Sequence, residues 1–332
     1  MSPPPHRSPQ STASDTTPPA RVSTNVNQQW RRGLVWALLS PVFLGTVPIL
    51  AKIAYAVGVD VLTVVAFRTL VAAAMLWVAV LLFKRHFIYS STPAILSSMF
   101  AGAINGIGSI FFYASLVRID ASLGQLINIT YLIFVTMMLR VIGQAISWLT
   151  LFRTGLAILA IYMLSAGGIG QPDWVGVAMM GVAALTYAIQ LVLSQRIMYE
   201  IPAPTMTLYA VTAMAIVVSI PWLLYPADLT AVSSAGWHAI LLMGVVTGLS
   251  RLTLFLGVKH LGSMQAALLG VLEVIVSIAL AWFFLAERLT AVQWAGAAVL
   301  LISILLVRFE RGVPQFVDWW KWLWQRRLLP PK

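Results

Sequence analysis

Residues 244–289 have the sequence GVVTGLSRLTLFLGVKHLGSMQAALLGVLEVIVSIALAWFFLAERL, in which a short basic turn joins two apolar segments. Arg251 stands inside the first apolar segment and Glu273 inside the second. No other carboxylate in the sequence lies as deep within an apolar segment. A carboxylate in hydrocarbon is costly and needs a partner or a water-filled cavity. The segment therefore predicts a functional site around Glu273.

The rest of the chain has the same apolar character. Its 332 residues are 60% hydrophobic and 9% charged, whereas soluble proteins carry about 25% charged residues. The mean hydropathy is +0.89. The apolar residues fall in windows of about 20, the length that crosses a hydrocarbon core of roughly 30 Å as a helix. The sequence therefore predicts an all-α polytopic membrane protein.

Ten apolar windows predict ten transmembrane spans. Their approximate bounds are 33–55, 61–83, 93–116, 121–140, 148–166, 174–196, 204–225, 236–258, 263–285 and 290–308. They form two units of five spans, residues 33–166 and 174–308. A constant shift of 142 positions places Gly102 and Gly106 on Gly244 and Gly248. Because five is odd, the second unit would insert upside down. The sequence thus predicts a 5+5 inverted repeat, an architecture of secondary transporters whose site lies between the repeats near mid-membrane.

The distribution of basic residues predicts the orientation. With the N-terminus inside, the outer loops hold only Arg118 and Arg288 among the basic residues, together with Asp60, Asp120, Asp173 and Asp228. Most other Lys and Arg residues fall on the inner side, which predicts a cell (inner) membrane protein with both termini in the cytoplasm. The net charge of +11 is thereby assigned to membrane orientation, and nucleic acid is not expected as a partner.

The two ends of the chain differ from the spans. Residues 1–30 are rich in Pro, Ser and Thr and have no apolar window, which predicts a disordered cytoplasmic tail. Residues 309–332 alternate Trp with Lys and Arg, which predicts an interfacial segment at the inner headgroup layer.

Four charged residues within the spans are candidates for substrate binding or coupling: Lys52, Arg68, Arg251 and Glu273. Lys52 either reaches the outer interface or faces substrate. Arg68 lies roughly 10 Å deep at 1.5 Å per residue, and either braces helices or faces substrate. Arg251 and Glu273 differ in depth by roughly 5 Å, so they form either a structural ion pair or a switchable pair in which Glu273 takes a proton or a substrate amine.

Polar and aromatic residues inside other spans are candidates for the cavity wall. They are Asn105, Gln125, Asn128, Tyr131, Tyr187 and Gln190. The amide side chains also have a structural alternative, because such groups often hydrogen-bond neighbouring helices together.

Motifs for catalysis or nucleotide binding are missing from the sequence. It has no G-x-x-x-x-G-K-[ST] loop, no cysteine, and no histidine pair spaced for zinc. We therefore expect neither an enzyme nor a cofactor or metal site. The expected partners are the lipid bilayer, a small-molecule substrate, and protons or a counter-substrate.

Several short motifs occur in a characteristic order. They are Phe43-Leu44-Gly45 followed by Lys52, Ala66-Phe67-Arg68 with Ala72-Ala73, Leu272-Glu273, Phe284-Leu285-Ala286-Glu287-Arg288-Leu289, and Gly296. Together they resemble the drug/metabolite transporter superfamily, specifically its EamA-type members with ten spans in two repeats. The resemblance covers roughly residues 33–308.

This chain departs from the EamA pattern at four positions. Val274 replaces the proline after Glu273, and Leu132 occupies the equivalent place in the first repeat, so a local helix break lacks its usual cause. Ala286 replaces the glycine before Glu287. Gln144 stands where the family has glutamate, which weakens a capping interaction at the inner loop.

The resemblance implies a secondary carrier, often an exporter of amino acids, metabolites or drugs. Lys52, Arg68 and Glu273 occupy positions shared by relatives with different cargo, which implies common mechanics. Arg251 stands where a neutral or aromatic residue is expected. It is the best candidate for specificity and favours cargo with an anionic group, including amino acids.

Two other functions are consistent with the sequence. One is a phosphate-ester or nucleotide-sugar exchanger of the same superfamily, suggested by the surplus of buried cations. The other is a membrane protein that acts through its aromatic, basic C-terminal tail rather than by transport.

Overall fold

The computed structural model describes residues 22–143, 148–166, 173–261 and 271–306. Within these ranges the regular structure is helical. The helices are α1 (Val22–Ala56), α2 (Val61–Phe83), α3 (Thr92–Arg118), α4 (Ala121–Asn128), α5 (Tyr131–Gly143), α6 (Trp148–Ala166), α7 (Trp174–Ile197), α8 (Ala203–Leu224), α9 (Ser234–Leu261), α10 (Val271–Phe284) and α11 (Ala291–Leu305). Single 3₁₀ turns occur at Arg85–Phe87 and Leu229–Ala231.

Seven segments in the described ranges are long and apolar enough to cross a membrane. One of them, Ala121–Met138, combines α4 with most of α5, and three further apolar helices are shorter: Gly155–Ala166, Leu272–Phe284 and Ala291–Leu305. Many large hydrophobic side chains, such as Phe83, Leu96 and Phe283, are exposed on the helix surfaces. Exposed apolar helices of this length are those of an integral, multi-pass membrane protein.

Polar caps set several helix boundaries at one end of the molecule. We call it the outer end, after the orientation that the basic residues predict. Asp60 accepts a hydrogen bond from Thr63 N at 3.0 Å, and Asp173 accepts one from Gly176 N at 2.9 Å. Thr290 and Gln293 form a reciprocal capping box at the start of α11. These side chains satisfy backbone N–H groups that have no partner within the helix.

The structure differs from the sequence prediction at the N-terminus. Helix α1 begins at Val22, so residues 22–30 extend the first span as a helix, whereas the sequence predicts a disordered tail over 1–30. No Pro or Gly lies between Val22 and Arg32 to stop the helix. Residues 1–21 and the predicted interfacial tail, residues 309–332, lie outside the described residues.

The fourth predicted span is broken, although no proline is present. Helix α4 ends at Asn128 and α5 begins at Tyr131, with Ile129 and Thr130 in a turn. Thr130 N bonds to Ile127 O at 3.1 Å, and Thr130 Oγ1 bonds to the same carbonyl oxygen at 2.7 Å. The hydroxyl thus supports a tight turn that replaces the regular helical pattern.

The packing of the helices follows a two-fold pattern between the two halves. The contact of α1 with α9 corresponds to the contact of α7 with α3. The contact of α2 with α9 corresponds in the same way to that of α8 with α3. Likewise α1 contacts α10 as α7 contacts α4 and α5, while α6 packs on α11. The main interfaces therefore join a helix of the first half to one of the second.

Small residues permit these close approaches. A Cβ added at Gly102 in α3 would collide with the backbone of Ala210 in α8, and one added at Gly244 in α9 would press on Val71 and on Arg68 O. Small residues at helix contacts are a recurrent feature of membrane proteins. The sequence-derived pairing of Gly102 with Gly244 thus corresponds to two equivalent contacts.

Replacing Gly102 with alanine should destabilise the protein, because the new methyl group meets backbone that cannot rotate away. We expect a loss of about 1–3 kcal/mol, measured as a lower melting temperature of the purified protein in detergent. Gly181→Ala is the matched control, since nothing lies within 4 Å of its added Cβ, and it should keep or raise stability by up to about 1 kcal/mol. Equal melting temperatures for the two variants would contradict this account.

Candidate functional site

A cavity of about 70 Å³ with charged, polar and apolar side chains in its wall lies between helices of the two halves. Its wall is formed by side chains from α1, α2, α3, α4, α7, α9 and α10. They are Leu44, Val47, Arg68, Asn105, Gly108, Ser109, Phe112, Tyr113, Asn128, Ala183, Tyr187, Thr247, Ser250, Arg251 and Glu273. A single ordered water needs roughly 10–15 Å³ on this measure, so the cavity has room for a small solute.

Arg68 is held in this cavity by neutral groups. Its side chain is 3% exposed. Nη1 donates to Thr247 Oγ1 at 3.1 Å, and Nη2 donates to Ser109 Oγ. The guanidinium also lies 4.2 Å from the centroid of the Tyr113 ring, within the range of a cation–π contact. These contacts join α2 to α3 and α9.

Arg251 has a similar environment on the α7 side of the cavity. Its Nη1 donates to Gln190 Oε1 at 3.3 Å, and its guanidinium lies 5.3 Å from the centroid of the Tyr187 ring. Tyr187 in turn packs edge-to-face on Tyr131, with ring centroids 4.7 Å apart. Gln190 and Tyr131 therefore support Arg251 from behind the cavity wall.

Glu273 is buried in α10 and accepts a hydrogen bond from Gln125 Nε2 in α4. Glu273 and Arg251 line the same cavity but are not within ion-pair distance; the ion pair found among the described residues is Arg118–Asp173, at 3.0 Å in the outer loops. The carboxylate and the guanidinium thus face a common space without being joined.

The structure brings most of the predicted site residues together. Arg68, Arg251, Glu273, Asn105, Asn128 and Tyr187 line the cavity, with Tyr131 and Gln190 behind them. Lys52 does not line it: this side chain lies toward the outer end of α1, where its charge acts on Asp120. Lys52 thus lies apart from Arg68, Arg251 and Glu273 in this structure.

Sequence reasoning missed four polar residues of the cavity wall: Ser109, Tyr113, Thr247 and Ser250. Helical spacing contains a signal for the first three. Asn105, Ser109 and Tyr113 recur every four residues on α3, and Thr247 and Arg251 have the same spacing on α9. Residues spaced by four lie on one face of a helix.

A second polar cluster joins the two halves at the outer end, and we call it the outer closure. The carboxylate of Glu287, in the connection between α10 and α11, accepts hydrogen bonds from Ala121 N at 2.9 Å, Ser122 N at 2.9 Å and Ser122 Oγ at 2.7 Å. It therefore caps the N-terminus of α4, where both the free N–H groups and the helix dipole favour a negative charge. This contact ties the last loop of the second half to the broken span of the first.

The backbone that presents Glu287 is strained. Ala286 has φ = 54°, in the left-handed region that residues with a Cβ rarely adopt. The EamA pattern has glycine at this position, and glycine adopts such a conformation without steric cost. The departure noted in the sequence thus has a structural consequence.

Asp120 adjoins this closure on the outer side. Desolvation of its carboxyl group and the neighbouring Glu287 raise the pKa of Asp120, while Lys52 acts in the opposite direction. The Asp120 side chain makes no capping hydrogen bond to α4. The ionised form of Asp120 is therefore less favourable here than in water.

The fold and cavity define a helical, multi-pass membrane protein with a polar centre between two similar halves. The EamA-like transporter family matches residues 31–166 and again 174–309. The chain belongs to this family, with two repeats, as the sequence predicts. Its members are part of the drug/metabolite transporter superfamily.

Comparison with solved structures supports the fold alone. No curated protein matches the chain. A similar solved structure, described only as a crystal structure of a protein, has a TM-score of 0.62 at 14% identity. The match covers 84% of this chain and 97% of the other.

Ala286→Gly should stabilise the protein or leave its stability unchanged. Relief of a strained φ is worth on the order of 1–2 kcal/mol, partly offset by about 0.5–1 kcal/mol from the added freedom of glycine. The matched control is Ala298→Gly, at an exposed position within α11, which should lose about 1 kcal/mol. Thermal melting compares the two, and an equal loss in both variants would exclude strain at Ala286.

Asp120→Asn should raise stability at neutral pH. A carboxyl group with a raised pKa stabilises the fold in its protonated form, and this contribution is lost as pH rises through the folded-state pKa. The asparagine variant should therefore melt higher than wild type near pH 7 and approach it as pH falls toward about 4, the ordinary pKa of an Asp carboxyl group. A lower melting temperature for the variant at pH 7 would contradict this assignment.

Proposed function

We propose that this protein is a secondary active transporter that exports small organic solutes, such as amino acids, metabolites or drugs, by alternating access. The observation that carries the proposal is the buried cavity between the two repeats that contains Arg68, Arg251 and Glu273. Ionisable groups buried within membrane helices mark substrate or ion pathways, because their cost is tolerated only for such use.

The transporter has ten spans in a 5+5 inverted repeat in this proposal. Support comes from the seven long apolar segments together with the three shorter ones, and from family matches that cover each half separately. The interchange of helix contacts between the halves also supports it, since it follows from a two-fold relation. With an odd number of spans in each repeat, that axis lies in the membrane plane. The basic residues favour an inner membrane location with both termini in the cytoplasm.

The outer closure supplies a gate for the transport cycle. Glu287 fastens α4 at the outer end, and α4 also carries Gln125 and Asn128 toward the cavity. Release of Glu287 would free α4 to move about the turn at Ile129 and Thr130 and open the cavity outward. Helix ends and loops that absorb backbone rotation are the usual hinges of such motions.

Glu273 is the coupling group in this mechanism. It has a neutral hydrogen-bond partner in Gln125 and forms no ion pair with the described part of the chain, so gain of a proton changes the charge balance of the cavity directly. Proton relays in transporters use buried carboxylates in this way. The substrate and the proton then bind to charged groups of the same cavity wall, either in competition or together.

A phosphate-ester or nucleotide-sugar exchanger is the second candidate function. The specific observation in its favour is that two guanidinium groups face one carboxylate. Counterflow in proteoliposomes separates the candidates, with labelled amino acids and sugar phosphates as the probes. Exchange of sugar phosphates alone would favour the exchanger, and exchange of amino acids without sugar phosphates would contradict it.

Glu273→Gln should abolish the pH dependence of transport while leaving the protein folded. The amide has nearly the same shape and can still pair with Gln125, but it cannot bind a proton. Counterflow of the transported probe is measured between about pH 5.5 and 8 for wild type and variant. Glu200→Gln, at an exposed position beyond α7, is the control and should keep the wild-type profile. An unchanged pH profile in Glu273→Gln would remove Glu273 as the coupling group.

A further inference from the structure

The cavity holds more positive than negative charge. Arg68 and Arg251 contribute two guanidinium groups, and Glu273 contributes the single carboxylate of the cavity wall. With Glu273 ionised the wall carries one net positive charge, and with Glu273 protonated it carries two. A net charge enclosed by membrane helices is unfavourable unless an opposite charge joins it.

Neutral groups orient the two guanidiniums without cancelling their charge. The oxygen partners of Arg68 belong to Thr247 and Ser109, and that of Arg251 belongs to Gln190. Nε of Arg68 and Nε of Arg251 are buried and have no hydrogen-bond partner among the described residues. Each guanidinium therefore has at least one N–H donor without an acceptor in the described part of the protein.

On the basis of the proposed transport function, we propose that the substrate is a small organic monoanion whose carboxylate binds between Arg68 and Arg251. A monoanion brings the wall with ionised Glu273 to zero net charge. A zwitterionic amino acid would leave one positive charge, and an amine would raise the charge to two. The planar guanidinium also matches a carboxylate geometrically, through paired hydrogen bonds.

The other residues of the cavity wall indicate the character and size of the part of the anion that carries the carboxylate. Leu44, Val47, Phe112 and Ala183 give the cavity an apolar side, which suits a hydrocarbon chain rather than a sugar. The volume of about 70 Å³ is well below the 300–1,000 Å³ typical of drug-sized sites. The substrate is therefore a short-chain carboxylate.

Binding of four compounds of matched length to the full-length protein in nanodiscs tests the proposal. The probes are butyrate, 2-aminobutyrate, butylamine and propyl phosphate, measured by isothermal titration calorimetry. Butyrate should bind at least about tenfold more tightly than each of the others, equivalent to about 1.4 kcal/mol. Tighter binding of 2-aminobutyrate, butylamine or propyl phosphate, or no binding of butyrate, would overturn the proposal.

Two variants of Arg251 test the role of its guanidinium. Arg251→Gln should weaken butyrate binding about tenfold or more, and Arg251→Lys should weaken it less, because the charge remains while the planar fork is lost. Arg288→Gln, at an exposed position of the outer end, is the control and should bind as wild type. A melting transition like that of wild type establishes that each variant is folded. Unchanged butyrate affinity in folded Arg251→Gln would overturn the role of Arg251.

Counterflow separates failure of this inference from failure of the transport function. Exchange of 2-aminobutyrate in proteoliposomes without butyrate binding would keep the transporter and overturn the anion site. Butyrate binding that depends on Arg251, without exchange of any probe, would keep the anion site and overturn the transporter.

Discussion

The structure depends on one constraint: the buried charges of Arg68 and Glu273, and the partly buried charge of Arg251, must be satisfied where water is scarce. Neutral side chains supply the hydrogen bonds to these charges, and two of these bonds join the first repeat to the second. Arg68 of the first repeat bonds Thr247 of the second, and Glu273 of the second bonds Gln125 of the first. Neutral partners lower the cost of each charge but leave it available. The packing of the central helices and the chemistry of the cavity therefore have a common cause.

A carboxylate at the outer end, that of Glu287, also needs hydrogen-bond partners, and it has more of them than Glu273 has among the described residues. Glu287 is satisfied completely, by two backbone N–H groups and a hydroxyl. A carboxylate that accepts three hydrogen bonds at a helix N-terminus is fixed in place. The carboxylate of Glu287 thus fixes the start of α4 in place, whereas that of Glu273 accepts a side-chain hydrogen bond from Gln125.

Much of this organisation follows from the sequence. Apolar windows of membrane-crossing length, ended by residues such as Asp60, Asp173 and Thr290, predict the helix bounds closely. Arg68, Arg251 and Glu273 stand out because charge is rare in such windows, and the structure brings all three to one cavity. The family resemblance is confirmed by matches to both repeats.

Other features depend on tertiary contacts that the pattern does not encode. Ser and Thr residues in apolar helices commonly bond their own helix, as Thr69 does to Val65 O at 2.7 Å. The role of Thr247 as a partner of Arg68 therefore emerges only when α2 and α9 are packed. The break after Asn128 forms without the expected proline, and Lys52 lies outside the cavity because its position near the end of α1 places it by the outer loops.

The contact between Gly102 and the Ala210 backbone has a mechanical consequence. Helices that touch backbone to backbone resist sliding, because side chains cannot yield between them. Here α3 belongs to the first repeat and α8 to the second, and α2 and α9 are joined in the same manner through Gly244. Each of these two close contacts therefore joins a helix of the first repeat to one of the second, and a cut between the repeats would separate both pairs.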